Sequence, residues 1–290
     1  RFLANGYELI IGDLNNKKKL NDIFLNNNIL GVLHFAGSAY VGESVDHPKK
    51  YYQNNLINTI NLLDCCVKHQ IQNFIFSSTC ATYGAPNIEF INEMQEQNPI
   101  NPYGRTKLAI EWVLKDYKRA YQLKPIILRY FNVAGADENG DIGECHYPET
   151  HLIPLIFDAI SGISNPLTIF GNDYKTHDGT CIRDYIHVSD LSNAHVLAFQ
   201  YLMSGGKPDC FNVGIGKGYS VLEIINSVIK VTGAKPKIVD GKRRVGDPER
   251  LVSDTKKIRS ALGWEPDYTK IDDIIQTAWN WYKLNNMCKI

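Results

Sequence analysis

Short apolar runs separated by amphipathic stretches organise this chain. Tyr7–Ile11, Leu30–Phe35, Asn73–Ser77 and Pro125–Tyr130 are brief, bounded by polar residues and dense in branched or aromatic side chains, and they predict buried strands. Between them, near Lys17–Asn28, Pro48–Lys68 and Pro102–Tyr121, lie the predicted helices. This alternation predicts a parallel sheet with helices on both faces, a doubly wound α/β fold. Beyond Asn132 the pattern loosens into a loop rich in Gly, Asp and Glu. Further helices are expected near Leu152–Ile160, Val188–Met203, Val221–Thr232 and Ile271–Leu284, with strands at Leu167–Phe170 and from Cys210.

Two segments carry candidate chemistry. The strand Asn73–Ser77 runs into a polar stretch, Ser78-Thr79-Cys80-Ala81-Thr82-Tyr83-Gly84, which places hydroxyls at the carboxyl end of a parallel strand. That end faces the ligand crevice of a doubly wound sheet. Asn101 suits a helix N-cap and Pro102 the first helical position, so Tyr103 and Lys107 share one face of the helix that starts there. A free phenol titrates near about 10, and a neighbouring ammonium stabilises its anion. The expectation is a Tyr of lowered pKa serving as a base toward a substrate alcohol. Each motif alone is commonplace, a Ser/Thr turn in one case and a chance Tyr-x-x-x-Lys in the other. Their union in one strand–loop–helix unit is specific.

Composition narrows the alternatives. The 290 residues carry 31 basic and 31 acidic side chains, so neither nucleic acid nor a membrane surface is an expected partner. No apolar run is long enough to span a bilayer. Seven Cys without a Cys-x-x-Cys pair read as reduced thiols of a cytoplasmic protein, and Cys80 as a packing residue. The eight His show no familiar ligand spacing, and no metal is expected.

Ordered markers continue along nearly the whole chain. They include His34-Phe35-Ala36-Gly37, Tyr51-Tyr52-Gln53-Asn54-Asn55, Leu128-Arg129-Tyr130-Phe131-Asn132, His151-Leu152-Ile153-Pro154 and Ile169-Phe170-Gly171-Asn172-Asp173-Tyr174. Asp178-Gly179-Thr180-Cys181-Ile182-Arg183-Asp184-Tyr185 and Arg243-Arg244-Val245-Gly246-Asp247-Pro248 complete the set. With the two opening segments, they resemble the UDP-glucose 4-epimerases of the extended short-chain dehydrogenase/reductase family.

The resemblance implies a Rossmann-like NAD-binding domain over residues 1–132, with about 182–200 added, and a smaller C-terminal α/β nucleotide-sugar domain over 133–290. Such proteins open with a strand, a Gly-rich turn and a helix that holds pyrophosphate. No Gly-rich turn lies between Arg1 and Leu33, and residue 1 is not Met. The expectation is a fragment that lacks the first strands of its sheet and binds pyrophosphate weakly.

The resemblance also implies residue roles. Tyr103 would be the base, Lys107 would hold the nicotinamide ribose, and Thr79 would hydrogen-bond the reacting oxygen. Asp13 and Leu14 match adenine-side positions, while Phe35, Ala36, Gly37, Asn54 and Tyr130 match other cofactor-lining ones. For the UDP-sugar, Asn132, Leu152, Phe170, Arg183, Arg244, Asp247 and Leu251 match contacts to the uridine, diphosphate or hexose. The implied reaction interconverts UDP-glucose and UDP-galactose by transient oxidation at C4 with bound NAD, in a homodimer.

Rival activities are weighed on the same residues. A sugar-nucleotide dehydratase needs an Asp-Glu pair after the active-site Thr, where Cys80 and Ala81 stand. A non-catalytic NAD or nucleotide-sugar sensor would have no use for Thr79, Tyr103 and Lys107 together. Ala39 and Ser38-Ala39-Tyr40-Val41 leave UDP-arabinose/UDP-xylose open, and Leu251, where some relatives carry Tyr, leaves the N-acetylhexosamines open.

Overall fold

The structure, a computed structural model, describes residues 7–163, 166–244 and 247–285. In chain order, its first part runs α1 (Lys17–Asn26), β1 (Gly31–His34), α2 (Val41–Asp46), α3 (Pro48–Tyr51), α4 (Asn58–Lys68), β2 (Asn73–Thr79), α5 (Pro102–Tyr121) and β3 (Lys124–Tyr130). There follow β4 (Asn132–Ala134), α6 (Leu152–Ile160), β5 (Leu167–Phe170), β6 (Ile182–His187), α7 (Val188–Met203) and β7 (Asp209–Val213). The last elements are β8 (Gly218–Ser220), α8 (Val221–Thr232), β9 (Ile238–Gly241), β10 (Arg250–Leu251), α9 (Lys256–Leu262) and α10 (Ile271–Leu284).

The chain divides into two compact units. The first holds residues up to Gly84, Glu93–Tyr130 and His195–Phe211. Its sheet has the order β1-β2-β3-β7, with β1, β2 and β3 parallel in register from Gly31↔Asn73 and Asn73↔Lys124. Alternation along β2 sends Phe74 and Phe76 to one face, where they pack with Leu20 and Phe24 of α1, Leu62 and Leu63 of α4, and Ile110 and Leu114 of α5. Burying each of these large side chains is worth about 1.5–3 kcal/mol. Ile75, Ile126 and Leu128 point the other way and are equally buried. The end of α7 lies at this sheet, where Asn73 Nδ2 contacts Met203 Sδ at 3.2 Å.

The second unit holds Ala85–Asn92, Phe131–Ala194 and Asn212 onward. Its β6 pairs in parallel with β10 and β4 and antiparallel with β8, while β5 pairs with β9. Helices α6, α8 and α10 supply Ile153, Ile156, Phe157, Ile224, Val228, Ile274 and Ile275 to its core.

Two expectations fail. Tyr7–Ile11 forms no strand, and Tyr7 and Ile11 are 73% and 77% exposed. A strand needs a neighbour to satisfy its backbone, and among the described residues none lies beside this segment; β1 has β2 as its partner. The expected single helix Pro48–Lys68 is broken, because residues Tyr52–Ile57 between α3 and α4 adopt the wider π-helical turn. That turn lets the Asn55 amide reach Ser38, accepting from its N–H at 2.7 Å and donating to its carbonyl at 3.0 Å. π-turns inside helices often mark functional positions. Helix α2 and the two- to six-residue strands β4, β6, β8, β9 and β10 had too little periodic signal to be expected.

Candidate active site

Thr79 closes β2 and turns the chain. Its hydroxyl accepts from Ala81 N–H at 3.1 Å, capping a short 3-10 turn over Cys80–Tyr83. Helix α5 starts as its sequence dictates, with Asn101 Oδ1 accepting from Gly104 N–H at 2.8 Å and Pro102 at the first position. Gly104 allows these two elements to touch. A Cβ there would lie 2.6 Å from the Ala81 carbonyl oxygen, so only glycine lets the first turn of α5 approach the turn after β2. Across that close approach the Thr79 hydroxyl favours the ionised form of the Tyr103 phenol.

One turn further along α5, Lys107 is buried, and its Nζ donates to the Ser77 carbonyl at 2.7 Å over the ring of Phe76. Another turn on, Glu111 accepts from Ser78 Oγ at 2.6 Å and from Arg129 of β3. Thus Tyr103, Lys107 and Glu111, on one helical face, meet Thr79, Ser77 and Ser78 of β2. Tyr51 packs edge-on against Tyr103 with ring centroids 6.4 Å apart, and its own hydroxyl donates to the Tyr40 carbonyl.

The electrostatics depart from the sequence expectation. Burial pushes the Tyr103 phenol up to about 12, opposed by the hydrogen bond from Thr79. Lys107 is not among the groups acting on that phenol; its ammonium donates to the Ser77 carbonyl. Burial pulls Lys107 itself down to about 8, with the Glu111 carboxylate opposing. His34, at the end of β1, is pulled down to about 4 by burial and by the charge of Lys107.

The positions matched to the cofactor form two groups. After β1 the chain turns through Phe35, Ala36 and Gly37, and a Cβ at Gly37 would sit 3.3 Å from Asn55 Oδ1 and 3.5 Å from Lys107 Nζ. Asn55 clamps this turn, while Asn54 reaches only the Ser38 hydroxyl, at 3.0 Å. Phe35, 56% exposed, lies 4.6 Å from the His195 ring, and the Tyr130 hydroxyl is hydrogen-bonded to His195 Nε2. Asp13 and Leu14 stand apart, at the turn before α1; Asp13 is exposed and accepts from Asn15 N–H at 2.7 Å.

In the second unit several of the matched substrate positions lie together. Arg183 pairs with Asp247, and Leu251 is the Cα partner of Arg183 across β10 and β6. Arg244 lies 4.0 Å over the Phe170 ring, and its carbonyl accepts from Asp247 N–H at 3.2 Å. Asn132 is paired with Tyr185 two residues along β6 from Arg183. Leu152, matched through its backbone, opens α6 with its side chain packed on the core of this unit. Asp184 is not the partner of Arg183; it is fully buried and accepts from the N–H groups of Ile215, Gly216 and Ser253.

Sequence reasoning missed Asn55, Ser77, Glu111 and His195. Glu111 carried a usable signal, since it continues the four-residue spacing of Tyr103 and Lys107. Ser77 acts through its backbone and His195 through a fold contact, and neither leaves a pattern in the sequence.

A strand-end hydroxyl, a helix-borne Tyr and a buried Lys on a parallel sheet define a Rossmann-like α/β enzyme scaffold. The chain belongs to the NAD dependent epimerase/dehydratase family, whose pattern matches residues 2–214. It is 47% identical over 272 residues to the UDP-glucose 4-epimerase of Halalkalibacterium halodurans, covering 94% of this chain and 81% of that one. It is 44% identical over 282 residues to UDP-arabinose 4-epimerase 1 of Arabidopsis thaliana, covering 96% of this chain and 67% of that one. The crystal structure of UDP-glucose 4-epimerase from Brucella ovis in complex with NAD superposes with a TM-score of 0.91 at 48% identity, covering 94% of this chain and 84% of that one.

Proposed function

We propose that the chain is an NAD-dependent UDP-sugar 4-epimerase acting on UDP-glucose and UDP-galactose. The observation that carries this reading is the placing of Thr79, at the end of β2, where it acts on the Tyr103 phenol, with Lys107 buried on the same helix face. High identity to UDP-glucose 4-epimerases supports the substrate pair.

The residues of the first unit fit NAD. Lys107 Nζ has three N–H donors and directs one to Ser77, which leaves two for ribose hydroxyls. The glycine at position 37 keeps the space over Lys107 Nζ open, and Phe35 and Tyr130 offer aromatic surfaces for a flat ring. Asp13 and Leu14 would serve the adenine side. When bound, NAD supplies a reversible hydride acceptor and a positive charge that favours the Tyr103 phenolate.

Tyr103 takes the proton of the sugar 4-hydroxyl, and Thr79 holds that oxygen in line through its own hydroxyl. C4 becomes a flat ketone, and each of its two faces leads back to a different C4 epimer. Once the sugar turns over, Tyr103 returns the proton and C4 is inverted, with no net oxidation. The second unit would anchor the uridine diphosphate through Arg183 and Arg244, whose planar guanidinium groups suit phosphate oxygens. Phe170 would face the base and Asp247 a ribose hydroxyl. Cys80 and Ala81 follow Thr79, so the acid–base pair that a dehydratase requires is not at that position.

The same reading includes a homodimer through α4 and α5, supported by Trp112 of α5, which is 57% exposed. It also includes a cytoplasmic setting, supported by six described cysteines without a disulfide. No described helix is long and apolar enough to cross a membrane. A second substrate pair, UDP-arabinose and UDP-xylose, is favoured by the Arabidopsis relative. A coupled assay with a panel of UDP-sugars, together with release and identification of bound nicotinamide, tests the activity, the substrate pair and the cofactor. Fastest turnover on UDP-galactose supports the proposal; turnover of none of the sugars rejects it.

A further inference from the structure

The loop between β4 and α6 gathers a second cluster of chemically active side chains, in the second unit. Glu144, His146, Glu149 and His151 bring one ligand atom each to within 4.8 Å of one another. Glu144 Oε1 lies 2.7 Å from His151 Nδ1 and 3.4 Å from His146 Nδ1. Glu149 Oε1 is 3.0 Å from His151 Nδ1, and the two Nδ1 atoms are 3.2 Å apart.

Three of these separations, 3.0, 3.2 and 3.4 Å, lie near the edge of a coordination tetrahedron. Zinc binds His nitrogen at about 2.0–2.1 Å and carboxylate oxygen at about 2.0–2.2 Å, and is four-coordinate and tetrahedral in structural sites. The edge of such a tetrahedron is about 3.3 Å. Ion pairing of His151 with the two carboxylates accounts for part of the cluster. His151 Nδ1 carries at most one hydrogen, yet it lies within 3.2 Å of two carboxylate oxygens and another ring nitrogen. A cation among them would draw the wider-spaced ligand atoms inward and be shared by all four.

The loop is held in place at both ends. The Glu144 carbonyl accepts from the buried Trp281 indole N–H at 3.2 Å, and Gly143 lies against the Trp281 ring. Glu149 is oriented by the N–H groups of Thr150 and His151, at 2.7 and 2.8 Å, the kind of outer support that ligating groups need. His151 is also the N-cap residue of α6.

We propose that Glu144, His146, Glu149 and His151 form a divalent-cation site of the zinc class that fastens this loop to the start of α6. The sequence reading assigned no metal, because the Glu-x-His-x-x-Glu-x-His spacing matches no familiar zinc motif; the loop closes on itself only in the fold. Cys145 lies between two ligands but its sulfur is not among the gathered atoms, so it is removed for the test.

The full chain carrying Cys145→Ser is stripped with a chelator and titrated with Zn²⁺ by calorimetry. Thermal midpoints are recorded with and without the ion. One equivalent should bind, and the midpoint should rise. His146→Ala or Glu144→Gln should weaken binding at least about 10-fold and abolish the thermal rise. Glu144→Gln is nearly isosteric and decides the matter if His146→Ala folds poorly. No saturable binding in the parent, or unchanged affinity in Glu144→Gln, would overturn the proposal. The readout is binding, so it stands or falls independently of epimerase activity.

Discussion

Arg129 grips Glu111 through two hydrogen bonds, from Nε to Oε1 at 3.1 Å and from Nη2 to Oε2 at 2.6 Å, with both side chains buried. Arg129 also donates to the Tyr83 hydroxyl at 2.7 Å, and Glu111 accepts from Ser78 and from Gln97. This network ties α5 to β2 and β3 directly beneath Lys107 and Tyr103. Breaking a buried ion pair by removing one partner leaves the other charged and unpaired, at a cost of about 3–5 kcal/mol. Glu111→Ala should therefore lower unfolding free energy by about that amount. Replacing both residues with apolar ones should restore much of it, as denaturant titration can read. A double variant no more stable than Glu111→Ala would show that the pair holds more than itself.

Tyr103→Phe keeps the ring and its edge contact with Tyr51 but removes the phenolic oxygen. Loss of a general acid–base typically costs about 10²- to 10⁴-fold in rate. Turnover of UDP-galactose should fall by that factor while affinity for uridine diphosphate, measured by calorimetry, stays level. Turnover near that of the parent would remove Tyr103 from the chemistry.

Leu251 is buried in β10, opposite Arg183. If it borders the hexose, Leu251→Tyr narrows that space, and turnover of UDP-N-acetylhexosamines should drop several-fold more than that of UDP-galactose. The ratio of the two rates is the measurement, since any loss of folded protein from overpacking scales both alike. An unchanged ratio places Leu251 away from the sugar.

The buried His34 imidazole accounts for part of the acid sensitivity. Its folded value of about 4 lies below the unfolded value of about 6.5, so between these limits the unfolded chain binds the extra proton. The stability His34 confers is complete above about pH 6.5 and is lost as pH falls toward 4. From pH 7 to 5 this amounts to about 2 kcal/mol. His34→Gln should flatten the decline by a similar amount, seen by urea titration at both values. Parallel curves for parent and variant would refute it.

The sequence by itself determined the strand–helix alternation of the first unit, the start of α5 at Asn101 and Pro102, and the placing of Tyr103 and Lys107 on one face. Each of these is local: a cap, a periodicity or a four-residue spacing is complete within a few residues. It could not determine the failure of Tyr7–Ile11 to pair, because pairing depends on what lies alongside. Nor could it supply the π-turn that aims Asn55, or the four ligands gathered between Glu144 and His151. The direction of Lys107 toward Ser77, and the burial that raises the pKa of Tyr103, were also beyond its reach. Those are settled by groups distant in sequence or by the path of the backbone. Burial, which dominates the electrostatics of the site, is a property of the packed whole.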